Sequence, residues 1–149
     1  LQPEAEMDAS YDLILACINQ LRATAAVTAF VGTRIYDRVP EKQDGTPSVP
    51  FPYISLGPST SIPDDYDCLD GEEITIQFDI WSSGAGEAYG TVECRKIMGA
   101  VKRALHDVDL TLTTNALVSL QMELMRVIDD PNPAINHGVI QFTAQVETP

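Results

Sequence analysis

The chain has 149 residues, 44% hydrophobic and 21% charged, and its 22 acidic against 9 basic residues give a net charge of -13. That length favours one domain, large enough to bury a core without a disulfide or metal staple. The acidity argues against a surface that grips nucleic acid, because phosphate contacts need clustered Lys and Arg.

Residues 1–7 have no hydrophobic period and read as a flexible N-terminus, or as an expression remnant ahead of a native start at Met7, leaving residues 8–149 as the domain. From Ser10 the pattern turns helical, with Leu13, Ile14, Cys17, Ile18 and Leu21 on one face. Asp8 or Ser10 is placed to cap this helix, and Asp12 suits the positive end of its dipole. A short apolar turn, Val27 to Val31, stops at Gly32, and RIYDRVP reads as a brief strand. Asp37 to Pro52 is a loop punctuated by four prolines and Gly45; a connection of that length usually has a job. Tyr53 to Gly57 is again a strand.

From Asp64 to Glu73, six carboxylates fall within ten residues. The alternation that follows is the clearest strand in the chain. Ile74, Ile76, Phe78 and Ile80 face one way, and Thr75, Gln77, Asp79 and Trp81 the other. SSGAG ends it. Glu87 to Leu105 reads as a helix whose inner stripe is Gly90, Cys94, Ile97, Val101 and Leu105. Two strands close the chain, with Val118, Leu120, Met122 and Leu124 inward on the first and Ile140, Phe142, Ala144 and Val146 on the second. DDPNPAIN between them is turn chemistry. Strands joined by turns pair antiparallel, and amphipathic helices need an apolar surface to cover. The expected fold is therefore a single two-layer α+β domain, mainly an antiparallel sheet with two helices packed on one face.

Candidate chemistry is sparse. A calcium loop reads D-x-[DN]-x-[DN]-G-x5-E. Asp65 and Asp67 fit its first positions, but Leu69 takes the third and Gln77 stands where the distal Glu belongs. The acidic stretch reads instead as a solvated loop. GAGEAYG resembles a dinucleotide turn, yet Tyr89 holds the third glycine position and Glu87 would repel a pyrophosphate. No G-x-S-x-G elbow occurs. His106 and His137 form no ligand pair, and Cys94 belongs to the helix core. Cys17, Cys68 and Cys94 are widely spaced and odd in number, so free thiols are expected. No apolar run approaches the roughly 20 residues that span a bilayer. Neither catalytic, cofactor nor metal residues are assigned. Arg95, Lys96, Lys102 and Arg103 read as a solvated helix face complementing its C-terminal dipole. Trp81, an aromatic on a mixed strand face, is a candidate interface anchor or second-layer packing residue.

Several segments in order, VGTRIYDRVP, FPYISLG, DGEEITIQFDIWSSGAG, VECRKIMGAVKRAL, LTLTTNALVSLQME and RVIDDPNPAINHGVIQFTAQVE, resemble the tail-completion or tail-terminator proteins of long-tailed bacteriophages and gene transfer agents. The likeness runs from Leu13 to Glu147; DGEE…WS and the closing HGV strand carry it best, and Ser59 to Leu69 departs from it. The resemblance implies a non-enzymatic structural protein without cofactor. It would form a ring, a homohexamer when assembled, that caps the tail tube, stops its polymerisation and joins it to the head–tail connector or stopper. DNA would pass through without specific binding, and assembly would take place in the bacterial host cytoplasm, with no membrane partner. On that reading Asp64, Asp65, Asp67 and Asp70 form a ring-lumen or interface loop. Two other readings stand beside it: another neck or minor tail ring component, and a small cytosolic metal-dependent enzyme using the acidic loop.

Overall fold

The computed structural model describes residues 6–149; most of the stretch read as a flexible N-terminus lies outside the described residues. Met7, at its end, is tethered: its N–H donates to Thr114 Oγ1 (3.3 Å) and its carbonyl accepts from Asn115 Nδ2 (3.0 Å). Asp8 then caps helix α1 (Ala9–Ala23), its carboxylate accepting the N–H groups of Ser10 and Tyr11. These donations satisfy amides that have no partner inside the helix. Leu13, Cys17, Ile18 and Leu21 are buried, as their spacing predicts.

The apolar turn after α1 is a helix in its own right, α2 (Ala25–Val31), bent by 82° from α1 and closed by Gly32. No single helix is long and apolar enough to cross a membrane. Beyond lie β1 (Ile35–Tyr36), β2 (Tyr53–Leu56), β3 (Thr60–Pro63), β4 (Asp70–Ser82), α3 (Val92–Leu105), β5 (Ala116–Asp129) and β6 (Asn136–Thr148). The six strands form one sheet in the order β1-β2-β4-β6-β5, with β3 on the same side of β4 as β2. Only β1–β2 is parallel. Ile74, Ile76, Phe78 and Ile80 of β4 and Ile140, Phe142, Ala144 and Val146 of β6 meet the helices in one core. The α+β architecture expected from periodicity is the one formed, with three helices instead of two.

Three local expectations need correction. The helix expected from Glu87 starts at Val92; a single 3-10 turn, Gly86–Ala88, precedes it, and Gly90 is exposed instead of lying in the inner stripe. Gly84 and Gly86 adopt φ of +147° and +65°, which an α-helix does not use. On β5 the register against β6 shifts between Leu117 and Ser119 and again between Met122 and Leu124. Each bulge inserts a residue and resets the alternation. Val118 and Leu124 are therefore exposed, and Leu117, Leu120, Met122 and Met125 pack on the core. Finally, the acidic stretch is not all loop, since β4 begins at Asp70 and Glu72–Thr75 pairs with Thr60–Pro63 as β3.

The glycines of DGEE and HGV occupy close approaches. A Cβ on Gly138 would lie 2.6 Å from Met98 Sδ and 2.7 Å from Cys94 Sγ, so this glycine lets α3 sit down on β6. A Cβ on Gly71 would lie 2.7 Å from the Asp64 carbonyl oxygen, where the β3–β4 hairpin narrows.

Candidate functional site

Two surface features lie at opposite ends of β4: the acidic hairpin tip at its Asp70 end and, on the sheet face away from the helices, the surroundings of Trp81. Trp81 follows Asp70 by eleven positions, about 36 Å along the strand. The structure therefore separates Trp81 from the acidic residues and gathers each with different neighbours.

At the Asp70 end, β3 and β4 form a hairpin. Asp64 N–H donates to the Gly71 carbonyl (2.8 Å), and Tyr66 and Leu69 exchange backbone hydrogen bonds of 2.8 Å at the tip. Asp65 Oδ1 accepts from Gly71 N–H at 3.1 Å, and Asp64 Oδ2 accepts from the Tyr66 hydroxyl at 3.4 Å. Asp65, Asp67 and Asp70 are exposed, as are Ile62, Tyr66 and Leu69 between them. The four predicted acidic residues are brought together, but they close a turn and face solvent. Among the described residues no three His, Cys, Asp or Glu side chains are grouped to hold a metal ion.

At the Trp81 end the face is aromatic and hydrogen-bonded. The Trp81 ring stacks on His137, centroids 3.8 Å apart and 17° from parallel, and on Tyr53 at 6.3 Å; Phe51 continues the series at 5.4 Å from Tyr53. Trp81 Nε1–H donates to Ser55 Oγ at 2.9 Å. His137 Nε2 lies 2.8 Å from Asp79 Oδ1, which also accepts from Gln77 Nε2 at 3.0 Å; Gln141 Nε2 in turn donates to Gln77 Oε1 at 2.8 Å. This row crosses β2, β4 and β6 and fixes the rotamers beneath a cleft of about 560 Å³. The other wall is the 37–52 loop, which contributes Val39, Lys42, Pro47 and Val49, with Asp130 and Ile135 entering from the β5–β6 turn.

The loop wall is ordered by its own bonds. Ser48 N–H and Oγ–H donate to the Pro40 carbonyl, Lys42 N–H donates to the Thr46 carbonyl, and Arg34 Nε–H ties down the Pro52 carbonyl at 2.9 Å. Burial raises the Tyr53 phenol above its ordinary pKa, with the Asp130 charge adding to the effect. An aromatic floor with a few polar edges can seat an apolar or aromatic group. Nucleophile candidates lie elsewhere: burial raises the Cys94 thiol to about 11 and the Cys17 thiol to about 12, so both stay protonated at neutral pH.

Sequence reasoning singled out Trp81 and missed its setting. His137 stacks on Trp81 because the two are paired across the β4–β6 ladder, a relation local sequence does not carry. Asp12 read as a dipole partner. Instead its carboxylate accepts from the N–H groups of Thr113, Thr114 and Asn115 and from Asn115 Nδ2, at 2.8 to 3.0 Å. Burial works to raise its pKa, and these four donors outweigh it and hold the carboxyl below its ordinary value.

The model of the family described as tail completion protein gp17 matches residues 16–147. The chain is 30% identical over 92 residues to the tail completion protein gp17 of Bacillus phage SPP1, a stretch covering 62% of this chain and 65% of that relative. The matched stretch thus spans less than two thirds of that relative's length. Among solved structures, a chain from the virion of a native gene transfer agent particle superposes with a TM-score of 0.79 at 26% identity, covering 95% of this chain and 99% of that one.

Proposed function

The chain belongs to the tail completion protein gp17 family, and on that premise we propose that it is a structural protein of a phage-like or gene transfer agent tail. It assembles as a ring, a homohexamer, on the head-proximal end of the tail tube. There it stops polymerisation and offers its outer surface to the head–tail connector. DNA passes through the ring without being specifically bound, and the protein performs no catalysis. The observation that carries this reading is the end-to-end structural likeness to a virion chain, 99% of which is covered.

The surface supports such a role. A closed ring needs heterologous contacts, in which one patch meets a different patch on the next subunit. The acidic hairpin tip is available to such a contact and lies well apart from the aromatic cleft. Trp81, rigidly stacked and hydrogen-bonded at the cleft floor, is the proposed anchor for a tail or connector protein.

The test is deletion of the gene from its source element, followed by electron microscopy of the particles. Overlong tails, or tails separate from filled heads, are expected. Joined particles with tails of normal length would overturn the proposal.

A further inference from the structure

A second groove lies on the opposite side of the molecule, between α2 and α3. It encloses about 450 Å³; Ala26, Ala29 and Phe30 supply its apolar wall and Arg95, Lys96 and Arg103 its basic one. In a chain with 22 acidic residues these cations are poorly neutralised. Lys96 pairs with Glu87 at 2.8 Å, but among the described residues Arg95 and Arg103 have no carboxylate within ion-pair distance. Arg22 and Arg34, by contrast, are spent on backbone carbonyls inside the fold.

The complementary feature is the β3–β4 hairpin tip. It presents Asp64, Asp65, Asp67 and Asp70 together with the exposed apolar side chains of Tyr66 and Leu69, which are 61% and 49% accessible. Tyr66 and Leu69 give the tip apolar contact surface beside its carboxylates. The groove offers the opposite charge beside an apolar wall.

We propose that the α2–α3 groove receives the β3–β4 hairpin tip of a second copy of this chain. The tip's carboxylates meet Arg95 and Arg103, and Tyr66 or Leu69 lies against Ala29 and Phe30. The inference rests on the ring reading above and assigns the acidic loop to the contact between subunits instead of the lumen. Tip and groove are different patches, so the contact is head-to-tail and propagates from subunit to subunit until it closes. Opposite charge across it sets partner choice and register more than raw affinity. One tip is small beside the roughly 1,200–2,000 Å² that a stable interface buries. Closure, which gives every subunit two such contacts, therefore matters to its persistence.

Cys68 sits at the tip and is exposed, whereas Cys17 and Cys94 are buried, which supplies a probe. The full-length Ala29→Cys variant is treated with a short bis-maleimide, alone and with tail tubes, and the products are separated under denaturing conditions. A ladder of covalent multimers is expected, absent when Cys68→Ser is added. Arg95→Glu with Arg103→Glu should abolish the ladder, and adding Asp65→Lys with Asp67→Lys should restore it, a rescue that a misfolded variant would not give. Rings visible by electron microscopy with no ladder, or a ladder indifferent to charge reversal, would overturn the docking and leave the ring standing. A chain that stays monomeric even on tail tubes would overturn both. Loss of duplex DNA retention on Arg95→Glu and Arg103→Glu, with an unchanged ladder, would reassign the groove to phosphate and also overturn the docking.

Discussion

At its Trp81 end β4 runs between β2 and β6, with a stacked aromatic row on one face and the Gly138 approach of α3 on the other. At its Asp70 end the neighbour on one side is β3, all four residues of which are exposed, and the chain turns back through a tip of carboxylates. Both ends belong to one strand in one register. They differ in what their polar groups are for. Asp79 is buried and shares its oxygen with His137 and Gln77, so its charge is spent on fixing a surface. Asp67 is exposed, and its charge remains available to something outside the subunit. A cluster of acids is thus a weaker mark of local architecture than a single buried carboxylate.

The strongest break of that contrast lies at Asp12, close to the Asp70 end yet buried. Asp12→Ala strands three backbone N–H groups and the Asn115 amide, and urea denaturation should report a loss of about 3 kcal/mol. The folded carboxyl has a lowered pKa. Its contribution is therefore intact above the unfolded value of about 3.9 and fades as pH falls through the lower folded value. Wild type and variant should converge in stability on acidification; a constant gap across that window would refute the assignment.

Gly138→Ala forces a methyl between Met98 and Cys94 and should cost about 2 kcal/mol by the same measurement. An unchanged midpoint would mean that α3 can lift off β6 freely. Trp81→Phe keeps the stack on His137 and loses the bond to Ser55, an expected loss of about 1 kcal/mol. The joining of tails to heads should suffer more than stability does, if the cleft is a docking site. Because the chain has one tryptophan, the wild-type fluorescence transition reports the cleft directly.

The smallest effects belong to the tip. Asp67→Asn with Asp70→Asn should leave stability within about 0.5 kcal/mol, as expected for exposed side chains. Calorimetry with Ca²⁺, Mg²⁺ or Mn²⁺ should show no saturable heat, since among the described residues no three His, Cys, Asp or Glu side chains are grouped to hold an ion; stoichiometric binding lost in Asp65→Ala would revive the metal-enzyme reading.

Local patterning made much of this molecule legible. The alternation of β4 and β6 and the stripe of α1 follow from the periods of strand and helix, which depend only on the residues in the segment. The Asp8 cap is likewise a relation between residues two and three positions apart. Turn chemistry marked the 37–52 loop, though nothing in it announced that the loop would wall a cleft.

What tertiary structure decided are the relations between distant segments. The bulges of β5 depend on where β6 forces the ladder back into register, so counting by twos from Ala116 puts Val118 and Leu124 on the wrong side. His137 and Trp81 stack because β4 and β6 pair in one particular register, and Asp12 finds its donors about a hundred residues away. The sequence by itself determined the charge, most of the elements and the inward faces of α1, β4 and β6, since each is a property of neighbouring residues. The cleft, the buried polar row and the separation of the acidic tip from Trp81 were settled only when the strands were laid side by side, because they are distances between residues that the chain order keeps apart.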